Sequence, residues 1–156
     1  MTGVEQADTV RRALEIRVDG ERLFDSVQAT WNLLERSAGP ALVEAHAAGL
    51  AVIVKEPLAN GRLTSRNRSG AFADRRRTLE TIAGRHGATI DAVALAAVLA
   101  EPWSGVVLSG AATVDQLRSN LAALTVRLEE RDLEALEALA EPARTYWSTR
   151  STLPWN

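Results

Sequence analysis

Three short polar stretches carry the side chains best suited to hold a ligand: Gln28-Ala29-Thr30-Trp31-Asn32, Glu56-Pro57-Leu58-Ala59-Asn60-Gly61 and Gly110-Ala111-Ala112-Thr113. In the third, Gly110 lets a ligand approach the backbone, and Thr113 opens a helix whose first amides have no partner within the helix. Such an end attracts phosphate. A plainer reading is a capping box, with Thr113 at the cap and Gln116 three residues on, and the two readings are compatible. Asn120, one turn further along that face, either reaches the same ligand or is solvated. Gln28 either binds a buried ligand amide or satisfies a neighbouring backbone group. Lys55 and Glu56, where an apolar run ends, could act as an acid/base pair or sit as a solvent-facing pair. Arg62, Arg66, Arg68, Arg75, Arg76 and Arg77 could clamp a phosphate, although arginine in a loop is usually solvated.

Other chemistries are short of residues. The 156-residue chain has no cysteine, which excludes disulfides, thiolate metal sites and cysteine nucleophiles. Histidine is limited to His46, in the last turn before the Gly49 stop, and His86, just before Gly87, where a cation favours a helix C-terminus and capping is the better reading of both. Tyr146 is the only tyrosine. No metal-ligand spacing, serine-nucleophile turn or P-loop is present, so no metal is expected. Eighteen basic against 20 acidic residues leave a net charge of −2, which offers no footprint for nucleic acid or an anionic membrane. The N-terminus has neither a basic nor an apolar leader region, and no run approaches the ~18 apolar residues of a membrane span. The expectation is a cytoplasmic protein.

The elements that must position these stretches alternate between short apolar runs and helix-period segments, the pattern of βα units around a parallel sheet. Three strands are predicted, at Leu23–Gln28, Leu50–Lys55 and Gly105–Ser109. The last two are nearly continuous apolar runs, as expected of strands buried on both faces. Helices are predicted over Gln6–Val18, from Pro40 to Gly49, Arg75–Arg85, Thr89–Ala100, Thr113–Leu124 and Glu129–Leu139. Within the fourth, Ile90, Val93, Ala94 and Ala97 form the expected buried stripe. Arg62–Asp74 reads as a loop, and residues 142–156 as an irregular tail whose Tyr146, Trp147 and Trp155 would cover apolar surface if ordered.

Together the three stretches resemble one family. Phe24–Glu35, with its glutamine followed by Trp31-Asn32, resembles the sixth-strand segment of aldo/keto reductases. Pro57-Leu58-Ala59-Asn60-Gly61-Arg62-Leu63-Thr64 resembles their seventh-strand loop, and Leu108–Leu121 their eighth-strand loop and helix. The resemblance implies an α/β fold that is the C-terminal half of a (β/α)₈ barrel, about strands 6–8 with their helices, over residues 1–141. It implies a site for NADP(H), with NAD(H) not excluded. Gln28 would hold the nicotinamide carboxamide. Glu56, Leu58, Asn60 and Gly61 would line the pyrophosphate, partly through backbone groups. Gly110, Ala111, Thr113, Gln116 and Asn120 would receive the adenosine end.

The implied activity is interconversion of carbonyls and alcohols, this chain supplying the cofactor side. The family's catalytic aspartate, tyrosine, lysine and histidine come from the first four or so strands, whereas this sequence resembles the family only from the end of the fifth, with Met1-Thr2-Gly3 as its remnant. No residue is therefore assigned a catalytic role. A carbonyl substrate is expected only if the barrel is completed, by a separate N-terminal half or by self-association. The alternatives are a non-catalytic dinucleotide-binding or regulatory module and an inactive truncated gene product.

Overall fold

The computed structural model describes residues 1–153. The chain runs α1 (Gln6–Glu15), β1 (Arg17–Val18), β2 (Glu21–Arg22), β3 (Ser26–Thr30), α2 (Gly39–Ala47) and β4 (Ala51–Lys55). It continues through α3 (Ala73–His86), α4 (Ile90–Leu99), β5 (Val106–Val107), α5 (Val114–Ala122), α6 (Glu130–Glu137) and α7 (Ala143–Ser151). The fold is α/β. β3, β4 and β5 form a parallel sheet in that order, with Gln28 opposite Ile53 and Ile53 opposite Val106.

The sheet corrects one expectation. β4 is not buried on both faces: Val52 and Val54 are fully covered, whereas Ala51 is exposed and Ile53 and Lys55 are only partly covered. β3 follows suit, with Val27 and Ala29 buried and Ser26 and Gln28 exposed. One face packs with α2 around Trp31, Leu42, Val52 and Val54, while on the other Ser26, Gln28 and Ala51 are exposed, Ile53 and Lys55 are partly covered and only Thr30 is buried. A continuous apolar run cannot distinguish a strand whose second face is covered from one whose second face is left uncovered.

Element ends shift for local reasons. The first helix stops at Glu15 rather than Val18, because Asp19 and Gly20, both at positive φ, form a two-residue turn joining β1 to β2. An Asp-Gly pair is a strong hairpin signal, since both central residues of such a turn need φ > 0. The first parallel strand begins at Ser26, later than Leu23. The third spans only Val106–Val107, entered through Gly105, where a Cβ would lie 3.1 Å from the Val52 carbonyl oxygen.

α4 is buried almost all round rather than along one stripe. Ile90, Val93, Ala94 and Ala97 pack against α3 and α7, Ala92, Leu95 and Ala96 against Ala123 and Val126, and Val98 against the sheet. Its small side chains let three sets of neighbours approach. Thr89 caps it, its hydroxyl accepting from the Ala92 amide at 3.3 Å.

The expected irregular tail is largely helical. α7 follows Pro142, whose fixed φ suits the entry to a helix. It buries Tyr146 and Trp147 edge to face, 5.3 Å between centroids, in the cluster that holds Leu79, Ile82 and Leu136. Burial of the aromatic pair holds a segment with little helical patterning. Trp155 lies outside the described residues.

Candidate functional site

The second and third polar stretches follow β4 and β5, and the first runs from within β3 into the loop after it, so their ends meet at the carboxyl end of the sheet, where α/β folds bind ligands. They are held together by side chains to which the sequence alone assigned no role. Asn32 is fully buried and uses all its polar capacity: Oδ1 accepts from the amides of Leu34 and Glu35, both at 3.0 Å, and Nδ2 donates to the Glu56 carbonyl at 2.9 Å and the Tyr146 hydroxyl at 3.0 Å. One side chain thus ties the loop after β3, the loop after β4 and α7.

The loop after β4 carries strain. Glu56, Ala59 and Asn60, none of them glycine, all sit at positive φ, at 53°, 49° and 55°. Such backbone persists where its surroundings hold it, and clustering of this kind is a mark of functional loops. Here the Arg150 guanidinium grips the Glu56 carboxylate at 2.6 Å. Arg62 grips Glu141 through both oxygens, at 2.5 and 3.1 Å, and lies over the Tyr146 ring. Arg62 is thereby occupied as a structural clamp, as Arg75 is by the Leu139 carbonyl, Arg76 by the Ser69 carbonyl and Arg77 by Asp74. Lys55 and Glu56 do not pair with each other; Lys55 donates to the Thr2 hydroxyl.

A cleft of about 330 Å³ opens between the segments after β4 and β5. Leu58, Thr64, Ser65 and Arg66 line one wall, and Gly110, Ala111, Gln116 and Asn120 the other. Asp91, at the start of α4, and Ser119 also line it, the serine hydroxyl donating to Asp91 at 2.6 Å. Five of the ten residues expected at a cofactor site therefore line one cleft. Thr113 stands beside it as the cap of α5, its hydroxyl accepting from the Gln116 amide at 3.2 Å. Gln116 Oε1 accepts from the Ala112 amide at 2.7 Å, one residue before the cap, so Thr113 caps α5 but the reciprocal bond of a capping box, to the Thr113 amide, is not formed. Asn120 is no idle surface residue either: its Nδ2 donates to the Ser109 hydroxyl at 2.9 Å.

The other expected residues lie outside this cleft. Gln28 is mid-strand on the uncovered face of the sheet. Glu56 is in the strained turn, with Asn60 and Gly61 in the 3-10 turn after it. In the cleft itself Gly110 has open space where a Cβ would be, Arg66 supplies a cation from the facing wall, and the carboxylates of Asp91 and Asp115 are also part of the lining.

Tyr146 and the histidines stand apart from the cleft. Tyr146 is fully buried, and burial pushes its phenol well above the usual tyrosine range, which keeps it neutral. His46 is exposed on α2. His86 instead meets the buried Asp132 at 2.7 Å, alongside Arg85. Burial alone would raise the Asp132 carboxyl, yet the hydrogen bonds from His86, Arg85 and the Glu129 amide outweigh it and hold the group well below the usual carboxylate range. That cluster ties α3 to α6 and serves packing.

The chain belongs to the aldo/keto reductase family, whose sequence model matches residues 2–141. Among solved structures it is similar to a thermostable aldo-keto reductase, Tm1743, described in complex with the inhibitor epalrestat, at 31% identity and a TM-score of 0.60 over 72% of this chain. It is also similar in fold to aldo-keto reductase AKR11C1 from Bacillus halodurans, at 19% identity, with TM-scores of 0.69 for the apo form and 0.66 for the holo form over 86% of this chain. The chain spans 38% of the length of the first and 48% and 47% of the other two. No curated protein sequence matches it.

Proposed function

We propose that this chain is the C-terminal, cofactor-holding half of an aldo/keto reductase barrel, and that it binds NADP(H) across the carboxyl end of its sheet. The observation that carries this reading is the cleft that brings Leu58 against Gly110, Ala111, Gln116 and Asn120 beside the start of α5. In this reading the cleft takes the adenosine end, with Arg66 and the first amides of α5 facing its phosphates. The strained turn at Glu56–Gly61 lies along the pyrophosphate, and Gln28 on the open sheet face meets the nicotinamide carboxamide. When bound, the nicotinamide would supply a hydride for carbonyl–alcohol interconversion. This chain's residues bind and orient. The reading places the protein in the cytoplasm, and a carbonyl substrate enters it only with a completed barrel.

A second reading, a dinucleotide-holding module without chemistry of its own, is favoured by the burial of the sole tyrosine and by the placement of both histidines away from the cleft. Fragment binding tests what the two share. Calorimetric titration with 2′-phospho-ADP-ribose should show saturable binding that Gly110→Trp abolishes. A folded chain that binds neither this fragment nor ADP-ribose would overturn both readings.

A further inference from the structure

The loop that opens α5 spends much of its capacity for anions on its own side chains. The Ala111 amide donates to Ser109 Oγ at 3.3 Å, the Ala112 amide to Gln116 Oε1 at 2.7 Å and the Gln116 amide to Thr113 Oγ1 at 3.2 Å. What remains for phosphate oxygens is the pair of amides of Val114 and Asp115, which begin the helix, and the Arg66 guanidinium across the cleft. Two carboxylates, of Asp91 and Asp115, share the described lining with that single guanidinium.

The two carboxylates differ. Asp115 is 93% exposed and paired with Arg118 at 3.3 Å, so solvent and its partner screen it. Asp91 is only partly exposed, and no cation among the described residues pairs with it. Its Oδ2 accepts from the Ser119 hydroxyl at 2.6 Å, while its Oδ1 is open to solvent and accepts from none of the described residues. Asp91 also stands in the first turn of α4, where a carboxylate stabilises a helix, and that role is compatible with a second one in the cleft.

A carboxylate accepts a hydrogen bond from a hydroxyl and repels a phosphate. We propose that Asp91 sets which form of the dinucleotide the cleft prefers: its Oδ1 accepts from a ribose hydroxyl of the adenosine end, and the form without a 2′-phosphate binds more tightly than the form with one. Both forms enter, and Asp91 ranks NAD(H) above NADP(H). This rests on the proposed function, which puts the adenosine end in this cleft.

Calorimetric titration of the whole chain with ADP-ribose and with 2′-phospho-ADP-ribose, both at low ionic strength where the repulsion is least screened, reads the ranking. The wild type should bind ADP-ribose about tenfold more tightly, the scale of one hydrogen bond to a charged acceptor. Asp91→Asn keeps the size of the side chain and an acceptor for Ser119, and should bring the ratio of the two affinities to about one. Asp115→Asn, at the exposed pair, should leave the ratio within about twofold of the wild type. If Asp91 served α4 alone, its variant would change both affinities alike and keep the ratio, and that result would overturn the proposal. So would a ratio moved by Asp115→Asn alone, or a wild type that prefers the phosphorylated fragment; in each of these cases both fragments bind and the cofactor cleft stands. A folded wild type that binds neither fragment would sink the proposed function and this inference with it.

Discussion

The side-chain amide of Gln6 forms two hydrogen bonds with the backbone of Thr30, Nε2 donating to the carbonyl at 2.9 Å and Oε1 accepting from the amide at 3.1 Å. Both residues are fully buried. An amide side chain here takes the part of a neighbouring strand, satisfying the edge of β3 where a buried backbone pair would otherwise be stranded. Gln6→Ala removes both partners, and we expect a loss of about 1–3 kcal/mol, read as a lower urea midpoint with little change in slope.

The Glu56–Arg150 pair predicts a separation of stability from affinity. Both side chains are only 15% exposed and the contact is charge-assisted. Glu56→Gln should lower stability by about 1–2 kcal/mol while leaving affinity for an adenosine phosphate fragment within about twofold, because the carboxylate faces Arg150 rather than the cleft. Thermal denaturation and calorimetry on the same preparation would show it.

Acid should unfold the chain partly through Asp132. Its carboxyl is held below the usual range in the folded state, so its contribution is fully present above the unfolded carboxylate value of about 4 and is lost as pH falls below that. Asp132→Asn should therefore flatten the decline in urea midpoint as pH falls from about 5 to about 2, and an unchanged slope there would contradict the assignment.

Tyr146 supplies an optical counterpart. Its phenol is raised above the unfolded value, so the folded state stays protonated while the unfolded state ionises, and stability should fall as pH rises above about 10. As the only tyrosine, it should show phenolate absorbance at 295 nm only in step with loss of helical circular dichroism. Absorbance appearing in the folded chain would show an accessible hydroxyl.

Much of this was legible in the sequence. Gly49 and Gly87 end α2 and α3 at positive φ as their positions just past helix-period segments suggest, and the Thr113–Gln116 spacing marked the cap of α5. The alternation within β4 was not legible, because Ile53 is as apolar as Val52 and only the uncovered face distinguishes them. Nor was α7, since its helix is held by the burial of Tyr146 and Trp147 rather than by periodicity. Asn32 was visible as a polar residue among apolar ones, yet its role as a tie depends on Glu56 and Tyr146, distant in sequence. The Asp19-Gly20 turn was readable, and it is the local signal that separates the first helix from the β1–β2 hairpin.

The cofactor path is tested most directly by fluorescence titration of the whole chain with NADPH, alongside Asn120→Ala and Gln28→Ala. One variant probes the cleft and the other the uncovered sheet face. The account predicts saturable binding by the wild type, weakened about fivefold or more by each change, the equivalent of one lost hydrogen bond of about 1 kcal/mol. Absence of binding to a folded chain, or binding that neither variant alters, would contradict it.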